Sequence, residues 1–425
     1  MTIEMIDTVI LGAGIAGLGA ALKASECGLN ATIFEARRTT GGLLDNFTIQ
    51  GFRFDNAVHL SFASEAKVRK IFDQTAYLTH PADSYCFDQK LWLKHPVQNN
   101  LFPLPPEDKV SLIKSFLDRP TALAGADYET WLRHQYGDGL AERYPICYTQ
   151  KYWGTPASSL STTWIGNRMR RAEIDEILFG ALSAETPNTY YTKEMRYPKV
   201  GGYKAFIQPL IDSADIRLEH KAIEIDVERK IVTFENGVQV GYRHLVSTLP
   251  IPVLVKLIRT APAEVVSAAA ELRATSIDLI SVGFNKNLVK DLWFYIYDED
   301  ILASRAYSPS VKSPENVPEG TSSLQFEIYS RGNESKFNEK DLIENTRYAL
   351  KKMGIAEDDD VIFMNHKFLP YGNVIFDLNM EENRKTVLDW VASLGFSSCG
   401  RFGEWDYLWS NQSFLSGYNY MQGNE

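Results

Sequence analysis

Between Thr8 and Leu22 the chain reads TVILGAGIAGLGAAL, a stretch that few architectures can accommodate. Thr8 to Leu11 is short, apolar and β-branched, the pattern of a buried parallel strand. It runs directly into Gly12, Gly14 and Gly17 at G-x-G-x-x-G spacing. The first glycine permits a tight turn, the second lets a diphosphate approach the backbone, and the third lets a helix beginning near Ala16 lie close on the strand. The helix start then offers free N–H groups and the positive end of its dipole. Glycines at this spacing also serve ordinary strand-to-helix turns, so the context decides. A second strand, Ala31 to Phe34, ends in Glu35, where a carboxylate can hold a ribose hydroxyl.

At 425 residues the chain exceeds one ordinary core, and two or three domains are expected. With 44% hydrophobic and 23% charged residues it is not a disordered chain. A net charge of -10 and the lack of a basic stripe argue against a nucleic acid partner, so an anionic ligand would need arginines gathered locally. Cys27, Cys86, Cys147 and Cys399 are scattered without metal-ligand spacing, and no metal is expected. No signal peptide and no run of about 18 uncharged apolar residues is visible. The cytoplasm is the expected location, and a homo-oligomer is compatible with the sequence.

Phe47 to Phe54 alternates around Gly51 and predicts a hairpin leading to Asp55 and His59. From Ser64 to about Arg196 the text turns helical, with Glu107 to Leu117, Tyr128 to Tyr136 and Ile174 to Ala184 periodic and prolines marking the breaks. Glu235-Asn236-Gly237 predicts a hairpin turn, and Val246 to Pro250 a buried strand end that rejoins the first sheet. Leu279 to Phe284, Trp293 to Tyr297 and Ser322 to Tyr329 predict a second sheet; Asp341 to Lys352 and Glu382 to Leu394 predict helices. The expected fold class is α/β: a discontinuous Rossmann-type domain over 1–62, 197–265 and 385–425, a mainly helical insert over 63–196, and a mixed or antiparallel sheet domain over 266–384. The aromatic segment Gly400 to Tyr420 is suited to cover a bound cofactor.

The run Glu35 to Leu43 brings the pair Gly41-Gly42 close behind the acidic residue. It resembles the FAD-binding segment of the amine oxidase, protoporphyrinogen oxidase and UDP-galactopyranose mutase superfamily. FAD is the cofactor this implies. Further segments resemble the UDP-galactopyranose mutases, above all their eukaryotic-type form. Phe54 to His59 stands where that family has a glycine-glycine-histidine loop at the flavin, and Pro96 to Asn100 resembles its glutamine-asparagine-asparagine run at the nucleotide. Trp164 to Arg168, after Tyr152-Trp153-Gly154, resembles its tryptophan-x-glycine-x-arginine element. Arg305 with Tyr307-Ser308-Pro309, and Gly400 to Trp405 with Asn411-Gln412, complete the set in the same order.

The resemblance implies a nucleotide-sugar substrate whose pyranose and furanose rings interconvert after N5 of reduced FAD attacks the anomeric carbon. NADPH or NADH is a compatible reductant, although no second dinucleotide fingerprint is present. It implies Arg168 and Arg305 as the cations for the diphosphate, His59 as the loop histidine, and Gln98, Tyr295, Tyr371 and Tyr407 as further substrate contacts. Gly12, Gly14, Gly17, Glu35, Gly41, Gly42, Arg401, Asn411 and Gln412 would hold the cofactor. Each has a plainer alternative: Arg168 in a basic helix face with Arg170 and Arg171, Arg305 on a strand surface, the tyrosines in the core, and His59 as a packing residue. Two departures stand out. Ala57 and Val58 replace the loop glycines, and a β-branched valine resists positive φ. His95 and Val97 occupy positions where the eukaryotic-type mutases sandwich uracil between aromatic rings. The rival readings are an FAD-dependent amine oxidase or desaturase, with an apolar tunnel or aromatic cage, and a binding protein that keeps FAD only for stability.

Overall fold

The computed structural model describes residues 3–123, 125–166, 169, 173–187 and 194–421. Leu11 pairs with Ser247 on one side and Phe34 on the other, and this parallel register fixes where the first sheet ends. The sheet has seven strands, running Ala222–Asp226, Ile231–Phe234, Gln239–Ser247, Glu4–Leu11, Ala31–Phe34 and Asp215–Arg217, with Phe396–Ser398 also beside Gln239–Ser247. Val9, Ile10 and Leu11 are fully buried, as parallel strands covered on both faces are. The strand ending at Ser247 rejoins the sheet as its sequence predicts.

Helix Ile15–Glu26 starts directly after Gly14, and helix Ser410–Tyr418 crosses it at close range. A Cβ on Gly19 would run into the Phe414 carbonyl, and one on Gly417 into the Ala16 carbonyl. Two glycines thus let the C-terminal helix lie over the nucleotide end of the fold.

The second sheet also has seven strands, in the order Val361–Leu369, Thr275–Phe284, Ser322–Arg331, Arg305–Tyr307, Trp293–Ile296, Tyr85–Asp88 and Leu91–Lys94. It is antiparallel except where Trp293–Ile296 meets Tyr85–Asp88. Its last two strands come from the stretch predicted to be mainly helical. They form a hairpin closed by Gln89 and Lys90, both at positive φ, 49° and 71°. That is the φ pattern of a type I′ turn, made without the asparagine or glycine that advertises one. The helices Pro106–Leu117, Tyr128–Ala141 and Ile174–Leu182 lie where their periodicity predicts, and a further helix, Cys147–Trp153, was not singled out by it. Among the described residues no helix is long and apolar enough to cross a membrane.

The hairpin Asn46–Ile49/Phe52–Asp55 delivers Asp55 to a buried polar knot. Asp55 accepts from the Tyr197 hydroxyl at 2.8 Å and the Tyr203 N–H at 3.0 Å. Lys312 Nζ, wholly buried, sits 3.2 Å from Asp55 Oδ2 and over the rings of Tyr307 (3.9 Å) and Tyr197 (4.9 Å). Burial pulls the Lys312 pKa down, against support from Asp55. Removing one member of such a pair leaves a buried charge uncompensated, so Lys312→Met should cost about 3–5 kcal/mol in a denaturant titration. Adding Asp55→Asn should recover part of that loss; a Lys312→Met variant as stable as wild type would show the pair to be dispensable.

Candidate functional site

The glycines build a cradle by close approach. A Cβ on Gly17 would collide with the Gly12 carbonyl and one on Gly12 with Thr248 Oγ1, whereas a Cβ on Gly14 would meet nothing within 4 Å. Gly14 is therefore the position where backbone faces open space. Gly41 donates its N–H to the Ala13 carbonyl at 2.8 Å, which lays the second glycine pair against the first. Glu35 is pinned beside them, accepting from the Ala13 N–H at 2.8 Å and the Arg37 N–H at 3.0 Å.

From this cradle a cavity of about 920 Å³ runs past the 56–60 loop to the second sheet, where tyrosines and arginines line it. Its volume lies at the upper end of ordinary ligand sites, roughly 300–1,000 Å³. Buried polar atoms along it that have no partner among the described residues include Asn56 Oδ1, Asn99 Oδ1, Arg401 Nε, Asn373 Nδ2 and the Tyr148 hydroxyl. The Asn373 assignment is fixed chemically, because Arg401 Nη2 donates to Oδ1 at 2.9 Å and so leaves the amide NH₂ without an acceptor. Buried polar groups are rarely left so. A glycine cradle open at Gly14, a carboxylate beside it and orphaned donors and acceptors further along suit a dinucleotide cofactor with a polar ring system.

At the far end Arg305, on the strand Arg305–Tyr307, is ion-paired through Nε to the fully buried Glu327 and donates from Nη2 to the Tyr329 hydroxyl at 2.9 Å. Its guanidinium lies over the rings of Tyr152 (5.2 Å) and Tyr329 (5.9 Å). Burial alone would push the Arg305 pKa down, but Glu327 and the surrounding tyrosine oxygens hold it well above its ordinary value. The Tyr152 and Tyr407 hydroxyls share a hydrogen bond at 3.2 Å, and Arg401 sits 4.8 Å over the Tyr407 ring. Two guanidinium groups are thus linked through a tyrosine pair on one wall.

The helix carrying Tyr148 and Tyr152 follows a π-helical segment, Glu142–Ile146, with Pro145 inside it. Proline removes a backbone donor, and the widened turn re-phases the helix, a device common at functional sites. Tyr144, Tyr148 and Tyr152, spaced four apart, consequently all face the cavity.

The 56–59 loop answers the question raised by Ala57 and Val58. Ala57 takes φ +73°, so the left-handed turn is made by alanine and not by the valine after it. His59 Nε2 lies 2.9 Å from the Leu43 carbonyl and 3.1 Å from the Asn56 carbonyl; since carbonyls only accept, Nε2 carries the proton. Burial holds the His59 pKa down at about 4, with Asp55 opposing. His95 is likewise held by burial at about 4, its ring tilted against Tyr295 at 4.7 Å. Val97, in contrast, is 1% exposed and packs into the core, out of the cavity.

Gly12, Gly14, Glu35, Gly41, Gly42, His59, Gln98, Tyr295, Arg305, Arg401 and Tyr407 line this one cavity, while Gly17 supports the cradle from behind. Tyr371 lies beside it, against Phe402 with its hydroxyl accepting from Asn333 at 3.1 Å; its neighbours Gly372 and Asn373 reach the lining instead. Asn411 donates to Glu65 at 2.8 Å and Gln412 accepts from the Trp409 N–H at 2.9 Å, so both amides are engaged in holding the C-terminal helix. Arg168 falls outside the described residues. Sequence reasoning did not single out Asn373, Tyr148 or Glu327. Glu327 left a trace, a lone acid in the apolar strand Ser322–Arg331, but nothing in the text paired it with Arg305.

The two neutral histidines carry a pH dependence. Their folded-state pKa values lie below the ordinary 6.5, so the unfolded chain takes up protons first as the pH falls. The stability they contribute is complete above about pH 6.5 and is lost progressively towards pH 4, up to about 3 kcal/mol each. Denaturant titrations of wild type and His95→Gln across this window should show a shallower acid slope in the variant; identical slopes would place that proton uptake elsewhere.

Residues 15–374 match the family model for flavin containing amine oxidoreductases. A crystal structure of reduced UDP-galactopyranose mutase superposes with a TM-score of 0.91 at 25% identity, over 100% of this chain and 96% of that one. A protoporphyrinogen oxidase-like protein from Exiguobacterium sp. 255-15 shares the fold at a TM-score of 0.74 and 16% identity, over 100% of this chain and 99% of that one. The mitochondrial protoporphyrinogen oxidase of Nicotiana tabacum is 30% identical over 106 residues, which are 25% of this chain and 20% of that protein. The chain thus aligns with about a fifth of the length of that curated relative. With the cradle, the cavity and a family match spanning most of its length, the chain belongs to the flavin containing amine oxidoreductase family.

Proposed function

We propose that this protein is a flavin-dependent mutase that interconverts the pyranose and furanose rings of a nucleotide-linked sugar, with FAD held in its reduced form. The observation that carries the reading is the wall of Arg305, Tyr152, Tyr407 and Arg401, two guanidinium groups joined through a tyrosine pair in the cavity that also holds the glycine cradle. A departing nucleoside diphosphate accumulates negative charge, and permanently charged, bidentate donors already in place stabilise it without reorganising. The full-length likeness to reduced UDP-galactopyranose mutase supports the same reading.

When bound, reduced flavin supplies an electron-rich nitrogen to the anomeric carbon. The chain's own residues orient and neutralise. Arg305, anchored from behind by Glu327, presents its remaining N–H groups towards the cavity. His59, neutral and donating from Nε2 to two carbonyls, braces the loop with its one ring proton committed to those bonds. At the far end the His95–Tyr295 pair and Gln98 offer a stacking surface and an amide for a heteroaromatic base.

Amine oxidation is the second reading, supported by the family and by the aromatic wall. Against it, Arg305 already occupies the faces of Tyr152 and Tyr329, where a protonated amine would otherwise rest, and would repel it.

The deciding experiment offers UDP- and dTDP-hexoses to the purified protein with its flavin oxidised, or reduced by dithionite, NADPH or NADH. Ring isomers should form only in reduced samples. Arg305→Ala and Arg168→Ala should lower that turnover by about 100- to 1,000-fold with flavin content unchanged. Conversion of no sugar in any sample, together with oxygen uptake on amines, would replace this reading by the second.

A further inference from the structure

Glu327 lies midway along the strand Ser322–Arg331, fully buried, and donors from three parts of the chain converge on its carboxylate. The Val58 N–H donates to Oε1 at 2.6 Å. On the other oxygen, Oε2 accepts from Arg305 Nε and from the Tyr329 hydroxyl, the latter at 2.7 Å. Arg305 reaches it because the antiparallel register sets the two residues opposite each other. Val58 reaches it because the loop turns left-handed at Ala57. Ala57, Val58 and Arg305 all line the cavity, whereas Glu327 stands behind that lining.

We propose that Glu327 is a positioning residue that fixes two features of the cavity with one carboxylate: the peptide plane between Ala57 and Val58, and the direction in which Arg305 presents its guanidinium. An alanine at positive φ is disfavoured and needs an outside hold. Arginine is a long, flexible side chain, and a cation facing a ligand is aimed only when something behind it takes its inner N–H groups. Three donors around one buried group require an acceptor-only partner. An amide here would offer a single oxygen, and its NH₂ would face either the Val58 N–H or Arg305. The loop and the cation are therefore set together, although more than 240 residues separate them in sequence.

The Arg305 half of this proposal rests on the sugar-nucleotide reading; the loop half does not. Two measurements keep them apart: the midpoint potential of the bound flavin, which senses the loop beside its cavity, and the dissociation constant for UDP from calorimetry, which senses Arg305. Glu327→Gln should retain stoichiometric FAD, shift the potential and weaken UDP by about tenfold or more, as loss of a charged hydrogen-bond partner does. Adding Ala57→Gly, which removes the penalty for the left-handed turn, should return the potential towards wild type and leave the UDP affinity weak. Glu327→Gln with both values unchanged overturns the proposal, and so does rescue of both by Ala57→Gly, since Arg305 would then not be aimed by Glu327. If Glu327→Gln does not yield a folded flavoprotein, Glu327→Asp should show both shifts at smaller size, and wild-type values in it overturn the proposal equally. Wild-type protein that binds neither UDP nor dTDP overturns the sugar-nucleotide reading together with the Arg305 half, and the potential then decides the loop half alone; if only dTDP binds, it replaces UDP as the ligand measured.

Discussion

The contact on which the fold depends is between Gly17 and the carbonyl of Gly12. With no side chain between them, helix Ile15–Glu26 can start hard against the end of strand Glu4–Leu11, and its first N–H groups point past Gly14 into open space. Everything at the cofactor end is built outward from that closeness. Gly41 donates to the Ala13 carbonyl, Glu35 reaches the Ala13 N–H because the neighbouring strand ends level with it, and the C-terminal helix settles on the first helix through further glycine contacts. A side chain at position 17 would meet the Gly12 carbonyl and push the helix start off the strand end.

A second constraint governs the other end. The chain carries a net charge of -10, yet its cavity exposes guanidinium groups among aromatic rings. Two buried cations at or near it are matched from behind, Arg305 by Glu327 and Lys312 by Asp55, so that positive charge faces the cavity or the rings and negative charge is turned away. Such pairs contribute little net stability, because both charges lose their hydration. What they provide is direction. A cation held by an anion on its protein side has its remaining donors on its ligand side.

The extent to which the sequence announced this follows from where each signal is local. Glycines at fixed spacing, an acid at a strand end and the Gly51 and Gly237 turns are short-range signals, and each appears where the text places it. The hairpin closed by Gln89 and Lys90 was hidden because its turn uses residues with no left-handed preference, and the sheet supplies the missing stabilisation. Glu327 and Asn373 were hidden for a different reason. Their partners, Arg305, Val58 and Arg401, come from remote segments, and only the strand register and the closing C-terminal stretch bring them together. Asn411 and Gln412 show the converse: a local match to a family pattern named two amides that this chain uses to anchor its last helix.

One fold can host different chemistries, and the two readings of this cavity differ in the sign of the charge they require where substrate meets the cofactor. Oxidation of an amine calls for a neutral or electron-rich enclosure, since the substrate arrives as a cation. Displacement of a diphosphate calls for the reverse. In this protein Arg305 lies over the rings of Tyr152 and Tyr329, and its retained anion lies behind the cavity lining, where it compensates the guanidinium without offering a substrate cation a place to bind. The aromatic rings then act as a low-dielectric lining that strengthens the field of the cations towards the ligand. On that physical ground the same tyrosines that suggest an oxidase in isolation support, with Arg305 and Arg401 among them, the proposed site for an anionic leaving group.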